Sequence, residues 1–84
     1  MTEYLFTFQS LTQAQNGLKH LQRNAVEASL HRTPKAVAAR GCGYSLVVPE
    51  LQLRRAADVL RERNVSYKAL YRKLPDDALE EVLL

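Results

Sequence analysis

Tyr4-Leu5-Phe6-Thr7-Phe8-Gln9-Ser10-Leu11-Thr12-Gln13 decides the fold, because the apolar period changes at Ser10. Before it, Tyr4, Phe6 and Phe8 alternate with Leu5 and Thr7, the period-two pattern of a strand. After it, Leu11, Ala14, Leu18 and Leu21 recur at helical spacing and predict one amphipathic helix over residues 11–23. Ser10 and Gln13 have the spacing of a capping box, in which the serine hydroxyl accepts from the Gln13 N–H and the glutamine returns to the cap. Asn24 reads as a left-handed stop. A strand passing directly into a helix opens a βα unit.

The unit recurs. Val26, Ala28 and Leu30 alternate with Glu27, Ser29 and His31 and predict a second strand. Thr33-Pro34 ends it, since proline lacks the N–H that a ladder needs and biases Thr33 toward extended backbone. Residues 33–43 read as a loop with a short helical turn across Lys35–Ala39. Tyr44, Leu46 and Val48 predict a third strand, closed by Pro49. Leu53, Ala56, Ala57 and Leu60 predict a helix over 50–63, with Arg54, Arg55, Asp58, Arg61 and Glu62 facing water. Asn64 repeats the role of Asn24, and Val65, Tyr67, Ala69 and Tyr71 give a fourth strand.

The order β-α-β-β-α-β predicts an α+β domain over residues 1–74. Its expected architecture is the ferredoxin-like split βαβ sandwich, a four-stranded antiparallel sheet with both helices on one face. The expected core is Leu11, Ala14, Leu18, Leu21, Leu53, Ala56 and Leu60. The opposite sheet face is left for water, a ligand or a second subunit. Pro75-Asp76-Asp77 reads as the cap of an acidic helical tail over 75–84, with Leu79, Val82 and Leu83 as its apolar stripe.

Composition narrows the setting. A chain of 84 residues holds one small domain. One cysteine excludes an intramolecular disulfide, which fits a reducing cytoplasm. No apolar run approaches the roughly 18–20 residues that span a bilayer, and Met1–Tyr4 lacks the basic start of a secretory signal. The charge is uneven: residues 1–42 carry five Lys/Arg against Glu3 and Glu27, whereas residues 43–84 are balanced. An excess of +3 is modest for a nucleic-acid binder and suits an anionic small ligand or an acidic partner equally.

The lone cysteine sits in that basic half, within Arg40-Gly41-Cys42-Gly43-Tyr44. Glycine on both sides removes Cβ bulk and lets backbone N–H groups converge on an anion. From Ala28 to Pro49 there are Arg32, Lys35 and Arg40 and no acidic residue. Free amides and positive charge both favour a thiolate over a thiol. The bland reading of Cys42 is an inert core residue beside a turn.

Other chemistries fit less well. Zinc wants four regularly spaced ligands, and only His20, His31 and Cys42 exist. A Cys42–His31 dyad is open on spacing but lacks a third orienting group. Gly41 and Gly43 lack the third glycine of a dinucleotide fingerprint. The nearest rival is RNA recognition on the same topology. Arg40-Gly41-Cys42-Gly43-Tyr44 follows the third-strand pattern of RNA-recognition domains, and Tyr4, Phe6 and Phe8 lie on the first strand. Cys42 and Val47 stand where two stacking aromatics belong, so nucleic acid is not the expected partner. A third reading is a small regulatory module whose basic loop holds an anion, with Cys42 incidental.

The chain resembles a small bacterial family of selenium/sulfur carrier-like proteins. The resemblance rests on Tyr4-Leu5-Phe6-Thr7-Phe8, Thr33-Pro34, Gly41-Cys42-Gly43-Tyr44 and Tyr67-Lys68-Ala69-Leu70-Tyr71-Arg72, and covers residues 3–72. It implies a carrier rather than a turnover enzyme, with sulfur or selenium held on Cys42 as a persulfide or selenosulfide. Arg32, Lys35, Arg40, Gly41 and Gly43 would then stabilise the thiolate. Donor and acceptor enzymes are the implied partners, with no cofactor, metal or membrane. A homodimer through the open sheet face or the tail is compatible with this reading.

Overall fold

The computed structural model describes residues 2–38 and 43–84. In chain order the elements are β1 (Glu3–Phe8), α1 (Leu11–Arg23), β2 (Ser29–Arg32), the single turn α2 (Lys35–Ala38), β3 (Tyr44–Pro49), α3 (Leu53–Glu62), β4 (Ala69–Lys73) and β5 (Leu79–Val82). A 3-10 turn, Glu50–Gln52, leads into α3. The strands form one five-stranded sheet in the order β2-β3-β1-β4-β5. Every neighbouring pair is antiparallel. The fold is therefore α+β with two full helices, and the sheet has five strands where the sequence pattern predicts four.

The period change at Ser10 is realised as read. Ser10 is the N-cap of α1, and its hydroxyl accepts from the Gln13 N–H at 3.1 Å. α1 and α3 touch each other and both touch β3, so they share one side of the sheet. Tyr4, Phe6 and Phe8 of β1, Leu46 and Val48 of β3, and Leu70 of β4 meet them in a single core. Ala14, Leu21, Ala56 and Leu60 are buried as expected. Leu18 and Leu53 are only partly buried, and Leu11, at the first position of α1, stays 39 % exposed. Val59 is buried in their place. Gly17 marks where α1 crosses β3: a Cβ there would lie 3.0 Å from Leu46 Cδ1.

Both helices end in the same way. Val26 N–H donates to Leu21 O at 2.9 Å, and Val65 N–H to Leu60 O at 2.8 Å. Ala25 N–H reaches Gln22 O, and Asn64 N–H reaches Arg61 O. Together these are Schellman closures, each with a buried apolar contact between the residue after the turn and one in the last helical turn. The left-handed residue is Ala25 (φ 61) after α1 and Asn64 (φ 57) after α3. Asn24 is not the left-handed stop; it keeps φ −105 and its side-chain amide donates to His20 O at 2.8 Å. Val26 and Val65 therefore close helices rather than open strands, and β2 and β4 begin three and four residues later, at Ser29 and Ala69.

The tail is a strand, not a helix. Leu74 and Ala78 pair through Leu74 N–H to Ala78 O at 2.8 Å, and Asp77 takes φ 66 between them. Pro75-Asp76-Asp77 is thus a three-residue hairpin loop with a left-handed last residue, a position that aspartate tolerates. Leu79 and Val82, three apart, imitate a helical stripe but lie on opposite faces of β5. Val82 joins the core and Leu79 faces away from it. Arg72 bonds Glu80 across the β4–β5 pair, and that hydrogen bond, with the charge behind it, raises the guanidinium above its ordinary range.

The face away from the helices is not an open platform. Leu5 is 5 % exposed, Tyr71 6 %, and Thr7 and Ser45 are fully buried. Thr7 stitches β1 to β4 there, its hydroxyl accepting from Ala69 N–H at 3.1 Å and donating to Ala69 O at 3.2 Å.

Candidate functional site: the mouth of the β2–β3 hairpin

Antiparallel pairing sets Arg32 opposite Tyr44 and His31 opposite Ser45. One step further the ladder is extended, with Thr33 N–H donating to Gly43 O at 3.0 Å. Beside that bond the Thr33 and Ser45 hydroxyls meet at 2.7 Å, both buried. Two buried hydroxyls that satisfy one another are costly to separate, because a lone buried donor or acceptor loses water without gaining a partner. Pro34 then starts the turn of α2, accepting from Val37 N–H at 3.0 Å. The sheet therefore pins both ends of the segment running from Pro34 to Cys42.

Cys42, Arg40 and Gly41 lie outside the described residues. The other three site residues are described. Arg32 and Lys35 are exposed, Lys35 as the first residue of α2. The Arg32 guanidinium lies 5.7 Å from the centre of the Tyr44 ring, a cation–π contact worth about 0.5–1 kcal/mol at an exposed site. That contact gives the charge a preferred position at the hairpin mouth. Gly43 is not in the left-handed region, and among the described residues a Cβ there meets nothing within 4 Å. Its value is therefore not a special backbone angle at this position.

His31 lies on the helix-free face, its Nε2 at 2.9 Å from Ser29 Oγ. Among the described residues no group of three or more His, Cys, Asp or Glu is placed to hold a metal ion. No helix among them is long and apolar enough to cross a membrane.

The RNA reading loses its platforms. Tyr4 is 9 % exposed and Phe6 and Phe8 are fully buried against the helices. Phe6 is further engaged edge-on by Tyr67, with ring centroids 4.8 Å apart. Tyr44 is only partly buried, but it packs against the same core beneath Arg32. Rings on the helix-covered side cannot stack on bases. The sequence reads Thr33 as a loop residue and does not single out Ser45; pairing register brings the two hydroxyls together.

The profile of one protein family, described as "Putative Se/S carrier protein-like", matches residues 3–72. The chain belongs to that family. No curated protein and no solved structure matches it. The matched span runs from β1 through most of β4 and takes in the hairpin mouth, while the β4–β5 turn and β5 lie beyond it.

Proposed function

We propose that the chain carries sulfur or selenium on Cys42, accepting it from one enzyme or small thiol and passing it to another. What carries this reading is membership of the carrier family over a span that includes the one cysteine of the chain. The exposed Arg32 and Lys35 at the hairpin mouth support it, since neighbouring positive charge favours the thiolate that exchange requires. Arg40, Gly41 and Gly43 flank the thiol in sequence and would complete its surroundings. In loading, the Cys42 thiolate attacks the outer sulfur of a donor persulfide R–S–SH. A new S–S bond forms as the old one breaks, R–S⁻ departs, and the outer sulfur keeps its hydrogen as Cys42–S–SH. No oxidant or cofactor enters, and no second cysteine is needed.

The fold suits the role. The order β2-β3-β1-β4 with α1 and α3 on one side supports a ferredoxin-like split βαβ unit, to which β5 adds an edge strand. The described ends of the segment that contains Cys42 are joined by the sheet, through Thr33 N–H on Gly43 O and the Thr33–Ser45 hydroxyl pair. A cytoplasmic setting would keep the thiol free. The test is intact mass spectrometry of protein incubated with a persulfide donor, or with selenite and a thiol. Loading should add one sulfur or one selenium, removable by reductant and absent from Cys42→Ser. A wild-type chain that never gains the mass under either condition would end the carrier reading.

A further inference from the structure

The helix-free face holds a groove of about 490 Å³ that runs from β2 to the β4–β5 turn. Its floor is apolar, built from Leu5, Val47 and Leu79. One end carries Glu3, Lys73 and Asp77. There Lys73 Nζ stands 4.0 Å from the Glu3 carboxylate and 3.6 Å from that of Asp77. Both pairs are looser than a direct charged hydrogen bond of roughly 2.7–2.9 Å, so neither closes the end against a ligand. The other end carries the hydrogen-bonded Ser29 and His31.

Each end has its own complement. Two carboxylates and one ammonium suit the head group of an amino acid, whose α-ammonium meets Glu3 and Asp77 while its carboxylate meets Lys73. Ser29 and His31 offer hydrogen-bonding groups suited to a second carboxylate, and Arg32 on the same strand adds positive potential although its guanidinium rests over Tyr44. The separation excludes a single amino acid. β4 and β2 are three strand spacings apart in the sheet, roughly 14 Å between axes and less between side chains that line one groove. An extended chain covers about 3.3–3.6 Å per residue, so two to three residues fit. A volume of about 490 Å³ also lies in the usual range for small-molecule sites.

We infer that this groove binds a zwitterionic peptide thiol, two or three residues long, with an amino-acid head group at the Glu3–Lys73–Asp77 end and a carboxylate at the Ser29–His31 end. The sulfur in that ligand rests on the carrier reading: it is the small thiol that delivers or collects the cargo. The charges at the two ends are independent of it. S-methylglutathione is a suitable probe because it has the two ends but cannot exchange sulfur. Titrated into the Cys42→Ser chain, it should shift the amide resonances of Leu5, His31, Val47 and Lys73 and leave those of α3 unmoved. Asp77→Asn, which keeps a residue at ease with φ 66, and His31→Ala should each weaken binding about tenfold. Free cysteine, reaching one end only, should bind at least tenfold more weakly than the probe. Absence of shifts, shifts that ignore both substitutions, or equal binding of cysteine would each overturn the groove assignment. None of these results bears on Cys42 loading, so the carrier reading stands or falls separately.

Discussion

The hydroxyls of Thr33 and Ser45 meet at 2.7 Å in a buried pair, twelve residues apart in the chain. With Thr33 N–H on Gly43 O at 3.0 Å, they lock the base of the hairpin on either side of the segment that contains Cys42 in sequence. Thr33→Val removes one hydroxyl and strands the other, so unfolding in urea should show a loss of about 1–3 kcal/mol. Replacing both, as Thr33→Val with Ser45→Ala, should recover part of that loss. A double-mutant cycle with no coupling would deny the pair its role.

Ala25 holds φ 61 at the end of α1, where a Cβ is disfavoured. Ala25→Gly should therefore stabilise the chain by about 0.5–1 kcal/mol, the relief at the turn exceeding the extra freedom that glycine brings to the unfolded state. Asn64→Gly, at the equivalent turn, should gain less because asparagine tolerates this region. Thermal unfolding of the two variants side by side reads the difference. An Ala25→Gly chain less stable than its parent would contradict the backbone account.

Two glycines make opposite predictions. Gly17→Ala gains about 1 kcal/mol of helix propensity. It also pushes a Cβ to 3.0 Å from Cδ1 of the fully buried Leu46, with Leu60 and Val65 methyls each 3.4 Å from the same Cβ. Overpacking of this kind costs about 1–3 kcal/mol, so the net effect should be a loss. Gly43→Ala has open space around it among the described residues and should stay within about 0.5 kcal/mol of the parent. Denaturant midpoints for the pair decide both.

The charges at the hairpin mouth should be felt at Cys42. Arg32→Gln combined with Lys35→Gln should slow iodoacetamide alkylation roughly two- to threefold at neutral pH and low salt. At about 0.5 M salt, where screening shortens the reach of exposed charges, the difference should shrink. In urea the two chains should react alike. A rate unchanged at low salt would remove Arg32 and Lys35 from the site.

The parts of the fold that the sequence makes legible are those set by side-chain period. β1, α1 with its Ser10 cap, β3 and α3 all follow from apolar spacing, since one buried face dictates where apolar residues must fall. Val26 and Val65 misled because an apolar residue after a helix serves equally as a strand residue or as the contact of a Schellman closure. β5 was hidden for a related reason: Leu79 and Val82 suit a helix by spacing, and only the left-handed turn at Asp77 makes them opposite faces of a strand. At the hairpin mouth, Arg32, Lys35 and Gly43 could be singled out from charge and glycine placement, and their part in any chemistry is a proposal. The hydroxyl pair and the groove could not, because both arise from residues that only pairing register brings together.

The pinned hairpin base has a consequence for what this scaffold could be made to do. Thr33 and Gly43, with nine residues of chain between them, are joined directly by the sheet through Thr33 N–H on Gly43 O. Loop closure is insensitive to length, each doubling costing about 0.6 kcal/mol. The hairpin mouth is in effect a socket. Segments of other lengths, bearing a histidine, a second thiol or a short recognition peptide, could be grafted between positions 33 and 43 while β2 and β3 stay in register. The same physics would let natural relatives diverge in their loops without disturbing the core that supports them.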